Sequence, residues 1–178
     1  MSEPRRELPN ILITGVPGTG KTTLAEMAAS LAALNHLNVS HLVSEERLHE
    51  GRDEEFDSLI LNEDKLLDYL EDEQKVNLGG FILDFHSCEL FPERWIDLVI
   101  VLQTDNAVLF DRLSARGYNP RKIQENIEAE IMQVVVEEAS QSYAKEIVHV
   151  LSSNSIEDLE HNCERIVQWI ASYSNRVE

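Results

Sequence analysis

The chain has 178 residues, 43% hydrophobic and 27% charged, with a formal net charge of −18; that length suits one domain able to bury about 70% of its unfolded surface without a staple. No stretch approaches the roughly 20 apolar residues of a membrane span. The excess of carboxylates excludes a surface that binds RNA broadly, because a polyphosphate backbone rewards clustered Lys and Arg, and it suits a basic partner better.

The opening MSEPRREL carries two arginines with no apolar segment behind them and reads as a short disordered leader, not a secretion signal. An apolar strand is expected over 10–14 and a helix over 21–34. Between them, GVPGTGKT has the spacing of a phosphate-binding loop: Gly15, four residues, Gly20, Lys21, Thr22. In such a loop backbone N–H groups surround phosphate oxygens, Lys21 neutralises them, Thr22 meets Mg²⁺, and the following helix points its positive end at the same anion. A nucleoside triphosphate is the ligand implied.

A second strand is expected over 38–43. The run from Glu45 to Asp57 holds seven carboxylates against Arg47 and Arg52; it is either a solvated face or a docking face for a cationic protein. After a helix at 63–74, a strand at 80–84 delivers Asp84 to the carboxyl edge of the sheet, where ligands bind in open α/β folds. Beside a phosphate loop that carboxylate can order Mg²⁺ through water, since Mg²⁺ keeps much of its hydration shell. His86, two residues on, either orients an attacking water or is simply hydrogen-bonded at the strand end. His86 and Cys88 are too few for a zinc site. Cys88 and Cys163 are the only cysteines and are expected as free thiols in a reducing compartment.

A fourth strand at 98–103 precedes a helix at 106–115. There DRLSARGYNPRK gathers Arg112, Arg116, Arg121 and Lys122, the one cationic cluster besides Lys21. Arg112 and Arg116, four apart, share a helix face and serve either phosphate oxygens or the helix dipole. A helix at 121–145, a strand at 147–151 and a helix at 155–173 complete the chain. In the last, Ser155 with Asp158 resembles a capping box, and Ile156, Leu159, Cys163, Ile166 and Ile170 line one face. Short apolar strands alternating with helices predict an α/β fold with five parallel strands, and no repeat or linker divides residues 1–178.

The segments PNILITGVPGTGKTT, ILDFHSCELFPERW, LVIVLQTDNAVLFDRLSARGYN and EIMQVVVEEASQSYAKEIVHVL together resemble the atypical adenylate kinases of the eukaryotic nucleus, the coilin-interacting nuclear ATPase family, over nearly the whole chain. The resemblance implies the nucleoside monophosphate kinase type of P-loop NTPase fold, a parallel sheet in the order 2-3-1-4-5 flanked by helices. Residues 40–63 would be the monophosphate-binding segment and 115–125 a short lid. Gly18, Gly20, Lys21, Thr22 and Thr23 would contact ATP, with Arg116 closing over its phosphates. Transfer from ATP to AMP and hydrolysis of ATP are the implied activities. The implied setting is late maturation of the small ribosomal subunit, in nucleus and cytoplasm, on the pre-ribosomal particle and with a basic ribosomal protein of the platform.

Ordinary adenylate kinases place an arginine on the monophosphate-binding helix, whereas Ser44 and acids stand here, so Arg47 or Arg52 substitutes or AMP binding is weak. So short a lid also excludes water poorly, which favours hydrolysis. The expected function is therefore an adenylate kinase with intrinsic ATPase activity. An ATP-switched assembly factor gripping a basic protein, or a kinase for another small acceptor, are the alternatives.

Overall fold

In the computed structural model, residues 5–176 of the protein are described. β1 (Asn10–Thr14) leads through the phosphate loop to α1 (Lys21–Ala32), which returns to β2 (Asn35–Asn38). Then come α2 (Val39–Glu45), β3 (His49–Asp53), β4 (Ser58–Leu61), α3 (Glu63–Asp72) and β5 (Phe81–Asp84). β6 (Leu98–Gln103), α4 (Asn106–Ala115), α5 (Pro120–Ile131), α6 (Val134–Ser142), β7 (Val148–Ser152) and α7 (Ile156–Asn175) follow. Five of the strands form one parallel sheet in the spatial order β2-β5-β1-β6-β7, which is the expected 2-3-1-4-5 order of a P-loop kinase fold.

Side chains alternate across a strand, so the sheet feeds two core layers. Leu12, Leu83, Val99 and Val101 pack on one face with Val39, Leu66, Leu109 and Ala139. Ile11, Ile13, Ile82 and Ile100 pack on the other with Ala25 and Ala28 of α1 and Cys163 and Ile166 of α7. β1 is covered on both faces, and all its residues are buried, which is why it reads as a continuous apolar run. The register sets both Ile13 and Asn38 opposite Asp84, bringing the loop, Asp84 and the end of β2 to one carboxyl edge.

Four expectations need correction. The strand placed at 38–43 is instead β2 followed by α2, because the Asn38 side chain accepts a hydrogen bond from the His41 N–H at 3.1 Å and caps a helix. Val39 and Val43, four apart, are both buried on that helix, so tertiary packing overrides their β preference. The helix placed at 121–145 is two helices. Gln133 takes a left-handed conformation (φ 52°, ψ 40°) and redirects the chain so that Val135 and Ala139 of α6 reach the core. In α7, Ser155 caps Asp158 as expected, at 3.1 Å, but Asp158 Oδ2 accepts from the Asn154 N–H, and Ile156 is exposed at the first helical position. Residues 1–4 of the leader lie outside the described residues, while Arg6 is fixed: its guanidinium donates to Asp97 Oδ2 at 2.8 Å and to the Trp95 carbonyl at 3.0 Å. Cys88 and Cys163 are free and buried.

The antiparallel β3–β4 hairpin was not legible as strands. It pairs Arg52 with Leu59 and Asp53 with Ser58, and the Asp53 carboxylate accepts from the Glu55 and Phe56 N–H groups at its turn. The hairpin stands over the carboxyl edge of the main sheet.

Candidate active site

The phosphate loop turns on glycines and is held from behind. At Gly15 (φ 151°) a Cβ would lie 2.8 Å from the Leu102 carbonyl, and at Gly18 (φ 91°) it would press Leu109 and Leu113 at 3.0 Å, so both positions require glycine. Ser153, just beyond β7, donates to the Thr19 carbonyl at 2.5 Å, and Thr104, beyond β6, donates to the Ser153 carbonyl at 2.9 Å. Thr19 itself is fully buried and donates to the Val16 carbonyl at 2.8 Å. The loop therefore rests on the ends of two strands.

Lys21 Nζ donates to the carbonyls of Gly15 and Val16, each at 3.1 Å, folding the side chain over the loop. Burial lowers its pKa from the ordinary 10.5 to about 8; Arg116 adds to that, and the carboxylates of Asp84 and Glu130 oppose it. Such a lysine is a cation without enough counter-charge, and a polyphosphate supplies it. Glu130, on α5, is a neighbour the sequence did not single out. Its Oε2 is buried with no hydrogen-bond partner among the described residues, and burial raises its pKa.

Opposite the loop, Thr22 Oγ1 donates to Asp84 Oδ1 at 3.0 Å, and Asp84 is 3% exposed. Two hard oxygen ligands side by side fit a Mg²⁺ bound together with the nucleotide. Among the described residues there is no group of three His, Cys, Asp or Glu that would cage a metal by itself. His36 Nε2 bonds the second oxygen, Asp84 Oδ2, and Asn38 Nδ2 donates to Thr22 Oγ1 at 3.4 Å. Neither His36 nor Asn38 was anticipated, because the second strand was placed too late.

A cavity of about 770 Å³ opens over this edge. Gly20, Lys21 and Thr22 form one wall, and Asp84, Phe85 and His86 the floor. Across the cavity stand Ser40 and Val43 of α2, Arg52 of β3, Phe56 of the hairpin turn and Leu59 of β4, while Arg116, Tyr118, Lys122 and Asn126, running from the end of α4 into α5, close it from the other side. His86 reaches solvent through the cavity mouth, yet the surrounding protein, then the charges of Lys21 and Lys122, hold its pKa at about 4. It is a neutral imidazole at pH 7, able to accept a hydrogen bond from water. Cys88 is inert by comparison: burial pushes its thiol up to about 12.

The cavity sorts the remaining expected residues. Arg116 lines it. Arg112 does not, because its Nη1 donates to the carbonyls of Gly18 (3.2 Å) and Ser153 (2.9 Å), so that it braces the back of the loop and is not in position on the phosphates. Gly18 shapes the loop from the same far side, and Thr23 is exposed on the first turn of α1, away from the cavity lining. Of the two candidate arginines for AMP, Arg52 lines the cavity, paired with Asp57, whose carboxyl it holds below the usual range. Arg47 is exposed at a left-handed turn (φ 54°) outside it. The start of α5 and the hairpin touch: Arg121 pairs with Glu55 at 2.7 Å and lies over the Phe56 ring at 5.3 Å, and Lys122 Nζ donates to the Asp57 carbonyl at 3.2 Å.

A loop built to neutralise a triphosphate, facing a wall with room for a second ligand, is the arrangement of a P-loop phosphotransferase. The fold agrees: shikimate kinase from Bacteroides thetaiotaomicron superposes with a TM-score of 0.62 at 16% identity, covering 92% of this chain and 98% of that one. A family profile described as an AAA domain matches residues 11–133. Over almost their full lengths, two proteins named adenylate kinase isoenzyme 6 homolog are similar to the chain. That of Dictyostelium discoideum is 52% identical, covering 95% of each chain, and that of Schizosaccharomyces pombe 51% identical, covering 97% of this chain and 98% of its own. The chain belongs to the adenylate kinase isoenzyme 6 homolog family and is an enzyme that transfers phosphoryl groups.

Proposed function

We propose that the protein transfers the γ-phosphoryl group of ATP to AMP and hydrolyses ATP when no acceptor is bound. The observation that carries this reading is the second wall of the cavity. Arg52 offers a planar donor for a monophosphate, Val43, Phe56 and Leu59 offer apolar and aromatic surface for a base, and all face Lys21 and Thr22 across one space. The names of the relatives support AMP as the acceptor.

Thr22 and Asp84 would hold the Mg²⁺ that comes with ATP, and the cation would supply positive charge against the phosphates. Lys21 leaves its loop carbonyls for the phosphate oxygens, Thr22 and Asp84 hold the cation's side of the site, and Arg116 covers the transferred group. Arg52 exchanges the exposed Asp57 for the AMP phosphate, an inexpensive step because exposed ion pairs are weak. An AMP phosphate oxygen then attacks the γ-phosphorus and ADP departs. Without AMP, a water hydrogen-bonded to neutral His86 takes the same line of attack.

A second role, as an assembly factor for the small ribosomal subunit in nucleus and cytoplasm, is supported by the acidic hairpin. It is at once a wall of the cavity and, through Arg121–Glu55 and Lys122–Asp57, a contact of the lid, so nucleotide in the cavity bears directly on the surface a basic ribosomal protein would meet. Labelled ATP incubated with AMP, CMP and other small acceptors, alongside phosphate release with and without such a protein, tests both. ADP formed from AMP above all other acceptors supports the kinase assignment. Phosphate release alone, insensitive to every acceptor, refutes it.

A further inference from the structure

We infer that His36 is a positioning residue for the cation-binding carboxylate: its bond to Asp84 Oδ2 turns Oδ1 toward Thr22 and the divalent cation of the nucleotide. The inference rests on the assignment of Asp84 to Mg²⁺ proposed above. His36 lies outside the cavity lining, so it acts through Asp84 and not on substrate.

The backbone explains the contact. β2 runs parallel to β5 with Asn38 opposite Asp84 and His36 opposite Ile82. Residues two apart on a strand share a face, so His36 and Asn38 both look toward the layer occupied by α1, where Thr22 stands. The result is a continuous chain: Asn38 donates to Thr22 at 3.4 Å, Thr22 to Asp84 Oδ1 at 3.0 Å, and His36 engages Asp84 Oδ2. The Asp84 side chain is 4% exposed, so water cannot satisfy its oxygens freely, and each has a protein partner. With the Nε2–H donor removed, Oδ2 is left unsatisfied and the carboxylate is free to rotate away from Thr22. Donors that hold a metal-associated carboxylate from the second layer are typically worth about 10–100-fold in metal affinity.

ADP affinity measured by calorimetry, once with Mg²⁺ and once with EDTA, reads this without reference to turnover. In the native protein Mg²⁺ should tighten ADP binding. In His36→Phe, which fills the space without an N–H, that enhancement falls by about tenfold or more while the affinity in EDTA stays within about twofold; His36→Gln, which keeps a neutral N–H donor, restores most of the enhancement. Nitrogen NMR of the metal-free native protein should find Nε2 of His36 protonated. The inference is overturned if His36→Phe keeps the full enhancement while Asp84→Asn abolishes it, if His36→Phe weakens binding equally in EDTA, if His36→Gln behaves as His36→Phe, or if Nε2 carries no proton. Should Asp84→Asn itself leave the enhancement intact, the assignment of Asp84 fails and takes the inference with it.

Discussion

Replacing Lys21 by methionine should abolish turnover and yet stabilise the nucleotide-free protein near neutral pH. Held at a pKa of about 8 instead of 10.5, a charged Lys21 costs up to about 3 kcal/mol at pH 7, an upper bound because the side chain is only half-buried by solvent contact. Its hydrogen bonds to the Gly15 and Val16 carbonyls return about 1 kcal/mol each, leaving the Lys21→Met variant ahead by about 1 kcal/mol. The sign of the pH dependence is the firmer test. Because the folded pKa is depressed, the unfolded chain holds the proton more tightly between about pH 8 and 10.5, so the native protein gains stability as pH rises through that window. Between pH 7 and pH 9.5 the balance should therefore move by about 2 kcal/mol in favour of the native protein, turning the variant's advantage into a deficit of about 1 kcal/mol. Urea unfolding of both proteins at each pH, without nucleotide, measures it. A difference that does not change with pH would refute the account of Lys21 as an under-compensated buried cation.

Asp84→Ala should impair transfer and hydrolysis together, whereas His86→Gly should lower hydrolysis more than transfer, since AMP brings its own nucleophile; equal losses in coupled ADP and phosphate assays would remove His86 from the water's path. Arg52→Ala should raise the KM for AMP about tenfold and leave AMP-free hydrolysis within about twofold. Arg47→Ala, outside the cavity, should change neither, and steady-state kinetics of the pair separates them. Binding of a basic ribosomal protein should weaken as the Debye length falls from about 10 Å at 0.1 M salt to about 3 Å at 1 M, and weaken again when Asp53, Glu54 and Glu55 are changed to Ser. Salt-insensitive titrations would place the partner elsewhere.

Much of the catalytic edge is legible in the sequence because it depends on local spacing: the loop from Gly15 to Thr22 and the four-residue strand that ends at Asp84 stand where periodicity puts them. What escapes is set by competition between local signals. Asn38 prefers to cap, which ends β2 early and hides the alternation of His36 and Asn38 beside Asp84. β3 reads HEGRD and carries no apolar period, and β4 is only the four residues SLIL, so the acidic run looks like solvent-facing loop although Glu55 and Asp57 are engaged with Arg121 and Arg52. No glycine or proline marks the break at Gln133. Arg112 and Arg116 share a helix face, but only the packing of the loop against Ser153 decides that one braces the backbone while the other reaches the cavity.

If, as proposed, one cavity serves both reactions, AMP and water are rivals for a single line of attack. The measurement that tests this most directly is a titration of AMP at fixed Mg·ATP, following inorganic phosphate and ADP in the same samples. Phosphate release should fall with the same half-saturating AMP concentration at which AMP-dependent ADP formation rises. Phosphate release that stays constant while ADP formation climbs would contradict a shared site.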